Sequence, residues 1–238
     1  MNALRRARPL LGTLVEIGAA GPRADAALEA ALEAAFERLF ALQSRLSRFD
    51  PASEIARFNA LEAGAAIEVG ADARAVLEAA RGLGRASAGL FDIAGGGRWE
   101  LDASTLRKID AGTKIDLGGI AKGYAVDAAI ELLRERGCGA GWVNAGGDLR
   151  AYGDVELALL LRDEKRGGVR AWGRLRDGAC ATSRYARASR CTLHGRARLR
   201  HLSVTAPLCL WADALTKVAA QAPDHPLLAA HGASAWHH

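Results

Sequence analysis

The chain has 238 residues, half of them hydrophobic and a quarter charged, with a net charge of +5. That length can bury a sizeable core, and that balance excludes a disordered or collagen-like chain. No apolar run approaches the ~20 residues of a membrane-spanning helix, and the one tight basic cluster (Arg196, Arg198, Arg200) lacks interleaved aromatic residues, so neither membrane insertion nor nucleic-acid binding is expected.

Near the N-terminus, Arg5, Arg6 and Arg8 are followed only by Leu10-Leu11 before Gly12-Thr13. That run is too short for the apolar stretch of a signal peptide, so a cytoplasmic location is expected. Residues 10–17 read as a strand. Residues 24–46 read as an amphipathic helix, with Leu28, Leu32, Phe36, Leu39, Leu42 and Leu46 close to a 3.6-residue period. Ser47–Asn59 reads as a turn and a short helix, broken at Asp50-Pro51 and capped by Ser53. Residues 72–87 form a second, alanine-rich helix. Residues 87–97, S-A-G-L-F-D-I-A-G-G-G, form a glycine-rich loop expected to lie outside the core.

A strand over 113–117 and a helix over 119–136 come next, then a strand over 140–145 that ends in N-A-G-G-D at 144–148. Residues 155–162 and 169–175 alternate like hairpin arms around Asp163–Gly168. Ala179–Ser183 and His201–Ala206 are short strands, Ala212–Gln221 is helical, and a last strand lies near 232–236. Helices grouped with antiparallel-looking strands predict the α+β class, with residues 1–238 as one compact unit carrying a cleft. Cys138, Cys180, Cys191 and Cys209 show no C-x-x-C spacing and read as buried reduced thiols.

The chemistry concentrates in K-I-D-L-G-G-I-A-K-G-Y-A-V-D at 114–127. Gly118-Gly119 lets backbone approach a ligand, and the N-terminus of the following helix favours an anion. Lys122 adds a full positive charge, and Asp116 and Asp127 bracket the site with acceptors. The stretch points to a phosphate-bearing ligand; the plain alternative is a strand–turn–helix connection with surface charges. At 144–148 two glycines permit close approach to a planar ring or ribose, with Asn144 and Asp148 able to hydrogen-bond it; the alternative is a tight turn whose Asp caps the next element. The hydroxyls of Thr182 and Ser183 serve either a ligand or neighbouring backbone.

In order along the chain stand L-G-T at 11–13, L-S-R-F-D-P-x-S-E-I-x-R-F-N at 46–59, G-L-F-D at 89–92 and D-L-G-G-I-A-K-G-Y-A-V-D at 116–127. V-N-A-G-G-D at 143–148, A-T-S at 181–183 and S-V-T-A-P-x-x-x-x-A-D-A-L at 203–215 complete the series. Over nearly its whole length the chain thus resembles the FAD:protein FMN transferase (ApbE-like) family. The resemblance implies a T-fold-like architecture of mixed sheets and packed helices, with an FAD cleft between subregions. It implies transfer of FMN from FAD to a Ser or Thr hydroxyl of an acceptor flavoprotein, assisted by Mg²⁺, with release of AMP.

Carried over position by position, Asp116 and Lys122 look like FAD contacts. Leu11, Phe49 and the Phe91-Asp92 pair match positions lining the flavin and adenine sites, where the family often has Met at the first and Tyr at the second. Core packing is the plain alternative for either Phe. Asn144, Gly147, Asp148 and Ser183 complete the implied FAD set. The Gly119 carbonyl, Asp213 and Thr216 are the implied metal ligands, and Lys122 and Asp213 the implied catalytic pair. A divalent ion and Lys122 would neutralise the pyrophosphate before an oxygen nucleophile attacks.

The chain departs from the family most at A-D-A-L-T-K, residues 212–217. Members usually carry Thr four residues after the Asp, one helical turn on; here Lys217 stands there. Either Thr216 substitutes, or the Lys217 ammonium takes the metal's space and pairs with Asp213, or Lys217 faces solvent. The family's H-I-x-D-P-x-T-G run is replaced by C-T-L-H-G-R-A-R-L-R, and the insertion after G-x-F-D is trimmed. His194 lies near a family His, with a surface role the alternative; His237 and His238 are expected to carry no role. The competing reading is an FAD-binding protein, or slow FAD pyrophosphatase, in which Lys217 replaces the metal-ligand Thr. A nicotinamide dehydrogenase is disfavoured because G-G-I-A-K-G lacks the G-x-G-x-x-G order.

Overall fold

The computed structural model describes residues 2–22, 24–162, 167–185 and 201–238. In chain order the elements are β1 (Asn2–Leu10), β2 (Thr13–Gly21), α1 (Asp25–Leu46), α2 (Glu54–Asn59), β3 (Ala66–Glu68), α3 (Ala71–Ala86), β4 (Trp99–Asp102) and β5 (Thr105–Lys108). They continue with α4 (Ala121–Glu135), β6 (Ala140–Ala145), β7 (Asp148–Arg162), β8 (Val169–Arg184), β9 (His201–Ala206), α5 (Cys209–Gln221), α6 (Leu227–Ala230) and β10 (Ser234–His237).

Seven strands form one antiparallel sheet in the order β1-β2-β6-β7-β8-β9-β10, and β3-β5-β4 form a small second sheet. Alternate residues of the large sheet, Val15 and Ile17 of β2, Val143 and Ala145 of β6, Leu202 and Val204 of β9, are buried in one core with α1, α4 and α5. α1 buries the predicted stripe from Leu28 to Leu46. α5 is buried on nearly every side, including Asp213, Thr216, Lys217 and Gln221, so its polar groups must find partners inside. The α+β class expected from the sequence is the class observed.

Several local expectations need correction. The strand expected over 10–17 is two strands joined by a two-residue turn. Leu11 (φ 54°) and Gly12 (φ 70°) both lie in the left-handed region, as a type I′ hairpin requires. β1 was hidden by its charges: Arg6 and Arg8 pair with Glu29 and Glu33 of α1, and Pro9 is tolerated because β1 is an edge strand. Residues 113–117 form no strand; Ile115 is pinned instead by Asn59, which accepts from its N–H at 2.7 Å and donates to its carbonyl at 2.9 Å.

The loop at 87–97 does enter the core, through Phe91 and Ile93. His238, expected to carry no role, meets the Trp172 ring edge-on at 5.0 Å and hydrogen-bonds Ser203 through Nε2 at 3.1 Å. Cys138, Cys180 and Cys209 are buried as expected. Cys191, His194, the Arg196–Arg198–Arg200 cluster and most of the Asp163–Gly168 turn lie outside the described residues. Among the described residues no helix is long and apolar enough to cross a membrane.

Candidate active site

A cleft of about 310 Å³ opens where the β1–β2 turn, the end of α1 and the start of α4 meet. Leu11 and Gly12 form one wall and Gln43 to Asp50 a second. Asp116, Leu117, Gly118, Ala121 and Lys122 form the third. The side chain of Gln43 accepts from the backbone N–H of Leu11, which fixes the strained turn over the cleft. Phe49 is 80% exposed at the mouth, with the Arg48 guanidinium 4.4 Å from its ring centre. Arg48 also pairs with Asp116 at 3.4 Å, while Asp116 accepts from the Gly118 N–H at 2.9 Å. Leu11, Phe49, Asp116 and Lys122, distant in sequence, therefore share one cavity.

Lys122 sits in the first turn of α4, whose N-cap Ile120 offers no side-chain cap. Its ammonium pairs with Asp148, which is buried at the start of β7. The β6–β7 turn delivers that carboxylate: Gly146 and Gly147 adopt positive φ, and Asn144 accepts from the Gly147 N–H at 3.0 Å. Asn144 and Gly147 thus build the turn, and Asp148 is the member of the trio that reaches Lys122.

From the other side comes α5. Asp213 accepts from the Gly123 N–H of α4 at 3.3 Å, and the Lys217 ammonium holds the other oxygen of the same carboxylate. Lys217 also donates to the Asp213 carbonyl at 2.9 Å. Its stem crosses Gly119 so closely that a β-carbon there would lie 2.9 Å from Cε. Thr216 donates to the Asp213 carbonyl at 2.7 Å, shares a 2.9 Å hydrogen bond with Ser183 and accepts from Tyr185 at 3.2 Å.

Lys122 on the cleft wall, with Asp148, Asp213 and Lys217 beneath it, thus forms one cluster of two lysines and two aspartates. Burial disfavours the Lys217 ammonium, but Asp213 foremost, with Tyr185 and Asp148, outweighs it and raises its pKa. Burial likewise opposes the charge on Lys122, and Asp148 and Asp213 outweigh it. Burial and the neighbouring Asp213 push the Asp148 carboxyl above the usual carboxylate range, against the pull of Lys122 and Lys217.

As donors for a divalent ion, Gly119, Asp213 and Thr216 do not fit as they stand. Both carboxylate oxygens of Asp213 have hydrogen-bond donors, the Thr216 hydroxyl has three partners, and an ammonium lies against Gly119. Among the described residues no group of three or more His, Cys, Asp or Glu is arranged to hold a metal.

Two sequence expectations fall elsewhere. Phe91 is buried in the core, and Asp92 closes its own loop by accepting from Ala94 and Gly96 at 2.7 and 2.6 Å. Their loop touches the cleft residue Asp116 through backbone, where its N–H meets the Ile93 carbonyl at 2.8 Å. Asp127 does not bracket the site. It caps α5 from α4, accepting from the N–H groups of Cys209 and Leu210 at 2.9 and 2.8 Å, and pairs with Arg150. Arg48 stands inside the L-S-R-F-D run without a role read for it, and Gln43 lies three residues before that run with no signal of its own.

A family model described as the ApbE family matches residues 11–103 and 94–230. An FAD:protein FMN transferase of Treponema pallidum (strain Nichols) is 37% identical over 70 residues, a match spanning 28% of this chain and only 19% of that protein. Three solved structures share the fold. Pseudomonas stutzeri flavinyl transferase ApbE, in apo form, superposes with a TM-score of 0.79 at 22% identity, covering 98% of this chain and 90% of that one. The ApbE protein of Thermotoga maritima gives 0.80 at 23%, covering 92% and 87%. Flavin transferase ApbE of Vibrio cholerae gives 0.77 at 20%, covering 91% and 86%.

Proposed function

The chain belongs to the ApbE family, and from that premise we propose that it transfers FMN from FAD to a Ser or Thr hydroxyl of an acceptor flavoprotein, releasing AMP. The observation that carries this reading is the Lys122 ammonium. It stands on the wall of the cleft, in the first turn of α4, held by the buried Asp148. A helix start with a fixed cation suits the two phosphates of a dinucleotide. Phe49 and Leu11 at the mouth suit a flat ring system. Asp116 and Arg48 supply an acceptor and a second cation beside them.

In this reading FAD is the substrate. The acceptor hydroxyl oxygen bonds to the FMN phosphorus, the bond from that phosphorus to the bridging oxygen breaks, and AMP departs. The hydroxyl proton ends on the AMP phosphate or in solvent. Lys122 stabilises charge gathering on the phosphates, and Asp213 orients the start of α4 through the Gly123 N–H. Asn144, Gly147 and Asp148 set the position of Lys122, and Ser183 and Thr216 that of Asp213. Mg²⁺ has no step in this reading, because Lys217 holds the Asp213 carboxylate.

The test incubates the protein with FAD and hydroxyl-bearing candidate acceptors, with and without Mg²⁺, and reads in-gel flavin fluorescence together with AMP release. Labelled acceptor with matching AMP is the expected result. FMN and AMP without label would favour the competing reading, a slow FAD pyrophosphatase, and that reading also draws on the Lys217–Asp213 pair. Neither product across several acceptors would overturn the transferase reading.

A further inference from the structure

We infer that the Lys217 ammonium takes the place of a divalent cation in this chain, so that the site binds its dinucleotide without Mg²⁺. The inference rests on the reading of FAD as substrate for what the charge is for, and on geometry alone for why a metal is shut out. Asp213 is the carboxylate that α5 turns toward Gly119 and Lys217, whereas Asp127 is taken up by the first N–H groups of α5. One oxygen of Asp213 is held by Lys217 and the other by the Gly123 N–H. The Lys217 stem lies across Gly119, with the ammonium 3.7 Å from where a β-carbon there would stand. A side chain at position 119 would collide with that stem.

The neighbouring hydroxyl is also committed. Thr216 has one proton, donated to the Asp213 carbonyl, and its oxygen meets Ser183 and Tyr185. Its three-residue spacing from Asp213 turns it toward β8 rather than toward Gly119, whereas the four-residue spacing of Lys217 brings the ammonium back over Asp213. A divalent ion at this place would have to displace a buried ammonium already paired with Asp213, or stand against its charge. Asp148 and Asp213 fix the two ammoniums in place, Lys122 on the cleft wall and Lys217 beneath it, so positive poles stand at the diphosphate's side with no ion recruited from solution.

Mn²⁺, which takes oxygen ligands as Mg²⁺ does and is visible by electron paramagnetic resonance, is the probe. Titrated into the wild-type protein, alone and with FAD, it is expected to show no protein-bound signal. Lys217→Thr is expected to gain one. FAD affinity of the wild type, read by flavin fluorescence, is expected to agree within about twofold in EDTA and in Mg²⁺. A wild-type Mn²⁺ signal that Asp213→Asn abolishes would overturn the inference. So would a rise of about tenfold or more in FAD affinity on adding Mg²⁺. A folded Lys217→Thr protein that gains no Mn²⁺ would show that the ammonium is not what excludes the ion. If that variant does not fold, the wild-type and Asp213→Asn titrations decide alone. Absence of FAD binding under every condition would sink the proposed function, while Mn²⁺ binding without FAD still reports on the cation.

Discussion

Lys122 and Lys217 are both lysines paired with aspartates, yet they stand to the cleft differently. Lys122 lines it, with its side chain 35% exposed; Lys217 lies beneath it, with 11% exposed. Lys122 therefore meets a ligand directly. Lys122→Met is expected to weaken FAD binding by about tenfold or more, because a charge-assisted contact to phosphate is lost and Asp148 turns from a tether into an unpaired carboxylate. Lys114, eight residues earlier and exposed, is the control: Lys114→Met is expected to leave binding unchanged. Fluorescence titration of both variants checks the pair, and equal losses would mean that general positive charge matters rather than the Lys122 position. Of the residues read from sequence, Leu11, Phe49, Asp116 and Lys122 meet at the cleft. Asp127 does not, although it belongs to the same motif. Position 127 lies on the side of α4 that faces the start of α5, and the sequence shows nothing of that neighbour.

Between elements, the decisive contact is Gly123 of α4 against the first turn of α5. A β-carbon at 123 would fall 2.7 Å from the carbonyl carbon of Cys209, so the two helices approach through bare backbone. This closeness lets the Asp213 carboxylate reach the Gly123 N–H. Gly123→Ala gains about 0.5–1 kcal/mol of helix propensity but overpacks a rigid contact at about 1–3 kcal/mol, so a net loss of about 1–2 kcal/mol is expected. FAD affinity should fall with it, because α5 and its Asp213 must move away from Lys122. Gly82 of α3 has open space around its missing side chain, and Gly82→Ala is expected to be neutral or stabilising. Urea unfolding of the two variants measures the contrast; matching effects would show that propensity, not the helix contact, dominates. Helix α4 was legible from its period, but this requirement for glycine was not, since G-x-x-x-x-G spacing looks the same in any loop-to-helix junction.

Across the whole molecule, one carboxylate ties three helices. Asp72 of α3 receives Arg38 of α1 through two hydrogen bonds, the longer at 2.9 Å, and the Tyr124 hydroxyl of α4 at 2.8 Å. Arg38 chiefly, with help from Tyr124 and against the effect of burial, holds the Asp72 carboxyl below its ordinary value of 3.8. A carboxyl depressed in the folded state adds stability that is fully present above the unfolded value and is lost as pH falls through the folded one. Asp72→Asn is accordingly expected to cost about 1–2 kcal/mol near neutral pH, toward the low side because Arg38 is one-third exposed. The gap between wild type and variant should close as pH drops below 3.8. Unfolding series at neutral and acid pH measure it, and a gap constant with pH would show that packing rather than charge carries the clamp.

The sequence by itself determined the local grammar of this protein. It set the stripe of α1, the glycine turns before α4 and between β6 and β7, the short strands β6 and β9, and an ordered set of motifs that marks the ApbE family. These are legible because period and turn chemistry report the backbone within a few residues. The tertiary structure alone decided which charges belong together. Lys122 meets Asp148 from 26 residues away, and Gly123 meets Asp213 from 90. Asp213 and Lys217 are spaced as any exposed helical ion pair would be, and only burial by the surrounding sheet and helices makes them a fixed pair. Whether such a pair is a loose surface bridge or a cation built into a site depends on how much water the rest of the fold removes, and that is a property of segments far apart in the chain.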